Sequence, residues 1–393
     1  MRSATWLMSV GVIVACAGCR PAETPPADGL AEPPADLEAA APVLAETVLR
    51  LAYVSIGGEL HLVDPETMAQ TVALTGVGDH VSYSAGSALV YLDESDAIHR
   101  ADLATGEDIV IATAADPYMR TFAISPDGAR VAVIQGEGLS IWQEGRMTAI
   151  EVARPSDPPA WSPDSTMLAV GAQGEDESID GGLWLWDGGP EARRIVPPVA
   201  EGWGSTREIM WSPDGAWLAW ARGAGDGWTG DLCRADGTEL RRDEIGAGPL
   251  AWLPDSSGLL ISIHIEAGAF QAGIYRLADG SPTRIGPQYW DSRAALSPDG
   301  AQVLAFGSNG KAIMADVASG EQRPWGEGLS VQDAVWAPDG RLALALGELA
   351  GGGGELWIGQ ADGTETGRAK LAADWWWNAQ WLTLPADAAA LQP

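Results

Sequence analysis

The sequence predicts an all-β fold, a β-propeller in which four-stranded antiparallel blades form a closed ring. Three observations predict it. A Ser-Pro-Asp-Gly tetrapeptide recurs in six near-copies, the copies are spaced 37 to 50 residues apart, and short apolar segments flank each one. A unit of about 40 residues built from strands and turns is typical of a propeller blade. The six copies begin at Ser125, Ser162, Ser212, Leu253, Ser297 and Ala337.

The tetrapeptide has the chemistry of a hairpin turn, as in Ser212-Pro213-Asp214-Gly215. Proline sets φ at the second position, aspartate tolerates the third, and glycine can take a positive φ at the fourth. Residues 216–220, which follow this turn, are apolar on both faces. A strand of this kind is covered on both sides, as it is between two neighbouring blades. A third strand and a second turn containing glycine, such as residues 235–238, complete the unit.

Two degenerate units bring the expected number of blades to eight. Residues 81–87 align with a turn but lack Pro-Asp. Residues 51–54 and 59–64 predict second and third strands with no first strand before them, whereas residues 378–382 predict a first strand with nothing after it. Pairing the C-terminal strand with the N-terminal strands closes the ring and removes its exposed edges. Seven blades is the alternative, if one degenerate unit is not a blade.

These repeats resemble the WD40-like repeats of TolB-type propellers, whose pattern is Trp-Ser-Pro-Asp-Gly followed by a short apolar strand. The resemblance covers about residues 50–384. It implies a scaffold role near a complex of the bacterial cell envelope. Because propellers serve many functions, the motif indicates the fold more strongly than the function.

The N-terminus has the features of an export signal. Arg2 precedes a short apolar run at residues 6–15, and Cys16 and Cys19 follow among small residues. The segment resembles the lipobox of bacterial lipoproteins, which implies lipid on Cys19, with Cys16 as the alternative. An ordinary secretory signal with two incidental cysteines is the third interpretation. The predicted lipoprotein is exported and anchored in the envelope, on the outer-membrane and periplasmic side if the host has two membranes.

Composition supports a modular organisation. Residues 1–18 are predicted as signal peptide, 19–49 as a disordered linker rich in Pro, Ala and Glu, 50–384 as the propeller and 385–393 as a tail. Cys233 is the one cysteine beyond the signal, so the mature ring has no intramolecular disulfide. We expect it to be a small buried side chain.

The net charge argues against several partners. The chain has 54 acidic and 23 basic residues, a formal net charge of −31. Such a charge disfavours nucleic acid and anionic membrane surfaces. The lipobox and TolB-type resemblances imply that the protein meets the membrane only through its N-terminal lipid and takes an envelope protein or peptide as its partner, and we expect the ring to be monomeric.

The sequence has no recognisable catalytic motif, so we predict no catalytic residues and no cofactor. A Gly-x-Ser-x-Gly motif is absent, and Ser308 and Lys311 form a Ser-x-x-Lys match without its companion motifs. The histidines lack the spacing of metal ligands: His61, His80, His99 and His264. The alternative function is a propeller enzyme, a carbohydrate lyase or hydrolase or a relative of peptidases, with its site in the central channel.

One acidic segment has oxygen-bearing residues at alternate positions before a glycine turn. Asp176, Ser178 and Asp180 are the kinds of ligand that Ca²⁺ takes. A solvated acidic loop is the competing and favoured interpretation, so Ca²⁺ remains a minor expectation.

The loops between blades supply the candidate binding residues. Arginines precede three of the turns by four or five residues, so ring symmetry predicts that they converge at one mouth of the channel. Aromatic residues accompany them, and the pair suits a peptide, carboxylate or sugar ligand. Loops between second and third strands are expected to be long and to lie on the same face, as at residues 222–231. The candidates are Tyr118, Arg120, Trp203, Arg207, Trp290, Arg293, Trp325 and Trp376. The leading prediction is a lipid-anchored, non-catalytic binding or scaffold module.

Overall fold

The computed structural model describes residues 46–113, 120–173, 180–199, 206–224, 227–265, 269–289, 293–307, 310–347, 354–371, 376–386 and 388. These residues form an all-β ring of eight antiparallel blades, which confirms the predicted fold and the higher of the two blade counts. In this part of the chain, no helix has the length and apolar character needed to cross a membrane.

The strands follow one another around the ring, blade by blade. Blade 1 contains β1 (Thr47–Ser55), β2 (Glu59–Val63) and β3 (Gln70–Thr75), and it is completed by β31 (Trp376–Pro385). Blade 2 contains β4 (Val77–Tyr83), β5 (Ala88–Asp93), β6 (Ala97–Asp102) and β7 (Glu107–Thr113). Blade 3 contains β8 (Arg120–Ile124), β9 (Arg130–Gln135), β10 (Gly138–Gln143) and β11 (Arg146–Ile150). Blade 4 contains β12 (Pro155–Trp161), β13 (Leu168–Gln173), β14 (Asp180–Trp186) and β15 (Arg193–Val196).

The second half of the ring repeats this order. Blade 5 contains β16 (Thr206–Trp211), β17 (Trp217–Ala224) and β18 (Gly227–Arg234). Blade 6 contains β19 (Gly248–Trp252), β20 (Gly258–His264), β21 (Phe270–Arg276) and β22 (Pro282–Tyr289). Blade 7 contains β23 (Arg293–Leu296), β24 (Gln302–Phe306), β25 (Ala312–Asp316) and β26 (Gln322–Trp325). Blade 8 contains β27 (Val331–Trp336), β28 (Leu342–Leu346), β29 (Glu355–Gly359) and β30 (Glu365–Lys370).

The ring closes as the sequence predicts. Strand β31 pairs antiparallel with β1, with Trp381 opposite Leu51 and Pro385 opposite Thr47. The C-terminal strand thus becomes the first strand of blade 1. First strands of successive blades contact one another all the way around, so they form the wall of the central channel.

The tetrapeptides form the turn between the first and second strands of their blades. In blade 5 the buried Ser212 hydroxyl donates to Asp214 Oδ1 at 2.5 Å and accepts from the Trp217 amide at 2.9 Å. Asp214 Oδ1 also accepts from the Ala216 amide, and Gly215 has φ of 69°. The same hydroxyl–carboxylate pair recurs at the turns that begin at Ser125, Ser162 and Ser297. These turns define one face of the ring, which we call the turn face.

Tryptophans immediately before the turns join neighbouring blades. Each indole Nε1 donates to the carbonyl two residues before the turn of the preceding blade. Trp211, for example, reaches Ala160 O at 2.8 Å. The equivalent bonds are Trp161 to Ala123 O, Trp252 to Met210 O, Trp336 to Ala295 O and Trp381 to Val335 O. Four of these five rings are buried in the apolar layers between blades, and Trp336 is partly buried there.

Blade 5 departs from the predicted four strands. Its sheet contains three, and the place of a fourth is taken by an irregular segment in which Arg241 bridges Leu232. Backbone bonds between Gly230 and both Ile245 and Gly246 hold this segment further along. Cys233, on the neighbouring strand, is fully buried, as expected, and burial raises the pKa of its thiol to about 12.

Candidate functional site

The face opposite the turns carries the candidate site. First strands begin there, and second strands turn into third strands there; we call this face the mouth. Four residues before each turn, the first strand has a polar side chain in six of the eight blades. The three positions that follow are apolar with two exceptions, Ser82 and Gln380. We call the six residues the polar ring: His80, Thr121, Glu208, Arg293, Asp333 and Asn378.

Side chains of the polar ring extend toward the next blade. Arg293 Nη1 donates to Gln332 O on β27 at 2.8 Å. The His80 ring meets Phe122 on β8 edge-on, with 6.0 Å between ring centroids. Glu208 Oε2 lies 3.3 Å from where a Cβ on Gly248 of β19 would stand. Three members of the polar ring therefore contact or approach the next blade along the channel wall.

β-Bulges shape the mouth end of several first strands. The pairing of β16 with β17 shifts register between Arg207 and Met210, and Glu208 has φ of 55°. In β31 the register shifts near Asn378, whose φ is 49°. A bulge inserts an extra residue and re-aims the side chains beside it. The turn face is regular, and the mouth is where the repeat breaks.

Arg207 is the candidate whose surroundings are best defined. It lies on β16, and its guanidinium stacks over the Trp228 ring of β18, with Cζ 4.5 Å from the ring centroid. The side chain is half-buried, and its Nε is buried without a hydrogen-bond partner among the described residues. A stacked guanidinium of this kind keeps its in-plane donors in a fixed orientation.

Two other predicted arginines also lie on first strands. Arg293 begins β23, and the backbone of Arg120 begins β8. The structure therefore brings all three arginine positions to the mouth ends of strands lining one channel. Trp376 begins β31, but its side chain is outside the described part, as is that of Arg120. Tyr118, Trp203 and Trp290 lie outside the described residues altogether.

The prediction that Trp325 binds ligand at the mouth is contradicted by the structure. It ends the outermost strand of blade 7 rather than lying in a loop, and it is 4% exposed. Its ring meets Trp357 edge-on, and its indole donates to Ala361 O at 2.8 Å. A ring held between two blades cannot serve as a platform for a ligand, so Trp325 belongs to the core.

The loops at the mouth are also shorter than expected. Residues 222–231 form most of a hairpin, since β17 runs to Ala224 and β18 begins at Gly227. The backbone of Asp180, a minor Ca²⁺ candidate, pairs with Gln173 at the start of β14. Asp176 and Ser178 lie outside the described residues. The local propensity for loops was outweighed here by pairing between long strands.

Sequence reasoning missed an ion network in blade 5 that is centred on a buried carboxylate. Asp231 is fully buried and accepts from Arg222 Nε at 3.0 Å and Arg242 Nη1 at 3.1 Å. Arg222 Nη2 also donates to Asp243 at 2.8 Å. Two cations and two carboxylates thus neutralise one another and tie the irregular edge of blade 5 to its sheet. No motif signals this network, because it joins residues from three segments.

The histidines lie in different strands. His61 and His99 occupy equivalent positions in blades 1 and 2, and each stacks on a tyrosine, Tyr53 or Tyr91. Burial lowers the pKa of His61 against the opposing influence of Glu59. Across the described ranges, no three His, Cys, Asp or Glu side chains form a group that could hold a metal.

The comparisons with known proteins concern the fold. No model of a known protein family matches the sequence, and no curated protein matches it. Apo AztD from Citrobacter koseri is similar in structure, with a TM-score of 0.55, 13% identity, and coverage of 86% of this chain and 98% of that one. An oligogalacturonate lyase in complex with manganese is similar with a TM-score of 0.51 and 14% identity, and the match covers 80% of this chain and 97% of that one. A eukaryotic initiation factor is similar with a TM-score of 0.51 and 12% identity, and the match covers 86% of this chain and 98% of that one. The chain is an eight-bladed β-propeller, a class that contains both enzymes and non-enzymes.

Proposed function

We propose that the protein is a non-catalytic binding module, anchored in the cell envelope by lipid on Cys19, whose mouth takes a protein, a peptide or another ligand. The observation that carries this proposal is the polar ring. His80, Glu208 and Arg293 lie on blades 2, 5 and 7, and each side chain extends to the first strand of the next blade. Polar groups spread over several blades around one channel suit recognition of an extended ligand at several points. The position recurs from blade to blade while the side chain there changes, and this variation supports a role beyond packing.

The N-terminal sequence supports the envelope location. A charged residue, a short apolar run and Cys19 resemble a lipoprotein signal. The linker at residues 19–49 gives the ring reach, since an extended Pro-rich chain spans about 3 Å per residue. The repeats resemble those of TolB-type propellers, and this supports a scaffold role beside an envelope complex.

Site-specific photocross-linking in the cells of origin tests the binding role. A photoreactive residue replaces Gln332, next to Arg293 at the mouth, and a matched one replaces Asp362, an exposed residue at the turn between β29 and β30. We expect a discrete cross-linked partner from position 332 and none from 362. Equal cross-linking from both positions, or none from the mouth, would refute a mouth-directed module.

The anchor has its own test. Cys19→Ser should release the protein from the membrane fraction, whereas Cys16→Ser should leave it there. Radiolabelled lipid incorporated into the Cys19→Ser variant would contradict the assignment of the lipid to Cys19.

A further inference from the structure

Arg207 differs from most of the buried and half-buried arginines in the described part of this acidic protein. Arg50, Arg222 and Arg341 each pair with a carboxylate within 3.3 Å. Within the described ranges, Arg207 has neither a carboxylate nor a hydrogen-bond partner, and its one recorded contact is the Trp228 ring. The chain has 54 acidic residues, yet none of those in the described part pairs with this cation at the mouth.

The local structure keeps nearby carboxylates away from Arg207. Glu208 follows it directly, but the bulge with φ of 55° sends that carboxylate toward Gly248 of the next blade. Asp231 and Asp243 are already engaged by Arg222 and Arg242. Among the described acids of blade 5, these three therefore do not pair with Arg207.

The arrangement suits one class of ligand group. Stacking on Trp228 fixes the guanidinium plane, and the buried Nε leaves the two Nη groups as the accessible donors. Two parallel N–H donors in one plane match the oxygens of a carboxylate, and charge-assisted bonds of this kind are stronger than neutral ones. Removing a cation from water without a partner costs free energy, and an anion that hydrogen-bonds to it offsets this cost.

We propose that Arg207, held against Trp228, receives a carboxylate of the ligand at the mouth. This inference rests on the proposed binding function and names the chemistry that the ligand presents. The carboxylate can belong to a peptide or to an acidic sugar, and the probes below separate the two.

Calorimetric titration of the purified propeller tests the proposal with trialanine, trialanine amide, glucuronate and glucose. We expect trialanine or glucuronate to bind at least tenfold more tightly than its neutral counterpart. Arg207→Ala should remove that preference, and Arg207→Lys should recover only part of it because an ammonium cannot offer the planar pair of donors. The acid that shows the preference identifies its source as peptide or sugar.

The chain offers a matched control pair. Arg194 stacks over Trp184 in blade 4, with Cζ 4.9 Å from the ring centroid, and it is exposed on the outer strand β15. Arg194→Ala should leave the carboxylate preference unchanged. An unchanged melting temperature of Arg207→Ala would show that the fold is intact. Should that variant prove unstable, Trp228→Phe provides a second test and should weaken carboxylate binding severalfold.

The outcomes separate this inference from the proposed function. If neither acid is preferred over its neutral counterpart, or if Arg207→Ala keeps the preference, the carboxylate assignment is overturned. Cross-linking from position 332 would still support a mouth-directed module in that event. Loss of both the preference and the cross-link would overturn the two together.

Discussion

The indole bonds between blades give a stability prediction that can be worked out from the structure. Trp211 is 8% exposed, and its Nε1 donates to Ala160 O on the first strand of blade 4 at 2.8 Å. Trp211→Phe keeps an aromatic ring but removes the donor. A carbonyl left without its partner costs about 1 to 3 kcal/mol, and the smaller ring adds a packing cost.

The packing cost can be subtracted with a second tryptophan of the same blade. Trp217 is 5% exposed, and among the described residues its indole has no hydrogen-bond partner. Its ring lies beneath Arg234, whose Cζ is 4.1 Å from the ring centroid. Trp217→Phe therefore loses ring area and part of the cation–π contacts with Arg234 and, at 5.4 Å, Arg241. Since phenylalanine keeps a π face and the Arg234 side chain is 40% exposed, this electrostatic loss is about 1 kcal/mol or less.

Urea denaturation of the two variants measures the difference. We expect Trp211→Phe to lose about 1 to 2 kcal/mol more free energy of unfolding than Trp217→Phe, with an unchanged dependence on urea concentration. An equal loss in both variants would refute the reasoning, since it would mean that the bond to Ala160 O contributes nothing beyond ring packing.

Three further predictions concern the turns and the buried network. Ser297→Ala should lower the free energy of unfolding by about 1 to 2 kcal/mol, because the Ser297 hydroxyl bonds both Asp299 and the next strand. Ala337→Ser should raise it by about 1 kcal/mol by forming the same bonds in blade 8. Thermal denaturation measures both changes. Hydrogen bonds from the Ser297 hydroxyl and a backbone amide lower the pKa of Asp299 below its ordinary 3.8. The ionised carboxylate therefore stabilises the fold above pH 3.8, and this stabilisation is lost as the pH falls through the lowered pKa. Asp299→Asn should therefore flatten the acid limb of the stability profile, and an unchanged limb would contradict this. Asp231→Asn should cost about 3 to 5 kcal/mol by leaving two buried arginine contacts uncompensated, whereas Asp243→Asn, with a side chain 63% exposed, should cost much less; chemical denaturation of both variants distinguishes them.

Features that depend on local repetition could be predicted from the sequence. Proline, aspartate and glycine at fixed offsets specify a turn wherever they occur, so the six tetrapeptides give the blade number once the degenerate units are counted. Closure by residues 378–382 followed from unmatched strands at the two ends. Trp325 was misplaced because nothing in its local sequence distinguishes a loop tryptophan from one at the end of a strand.

The polar ring was available in the sequence but was overlooked. Aligning the turns and moving back four residues reaches Glu208, Arg293 and Asp333 in turn. The bulge at Glu208 and the pairing of Asp231 with Arg222 could not be found this way. Both depend on contacts that are specific to blade 5, and a pattern shared by all the repeats carries no information about such contacts.

The distribution of contacts explains why function and stability separate between the two faces. Inter-blade indole bonds end two residues before the turn, and the serine–aspartate pairs lie in the turn itself. The ring is therefore held together near the turn face. Side chains four residues before the turn lie beyond these bonds, so the mouth can change with little effect on closure. For this reason we expect Arg293→Ala to lower the melting temperature less than Ser297→Ala does on the same blade. A larger loss from Arg293→Ala would mean that its bond to Gln332 O is part of the ring's stability, and Arg293 would then be a structural residue.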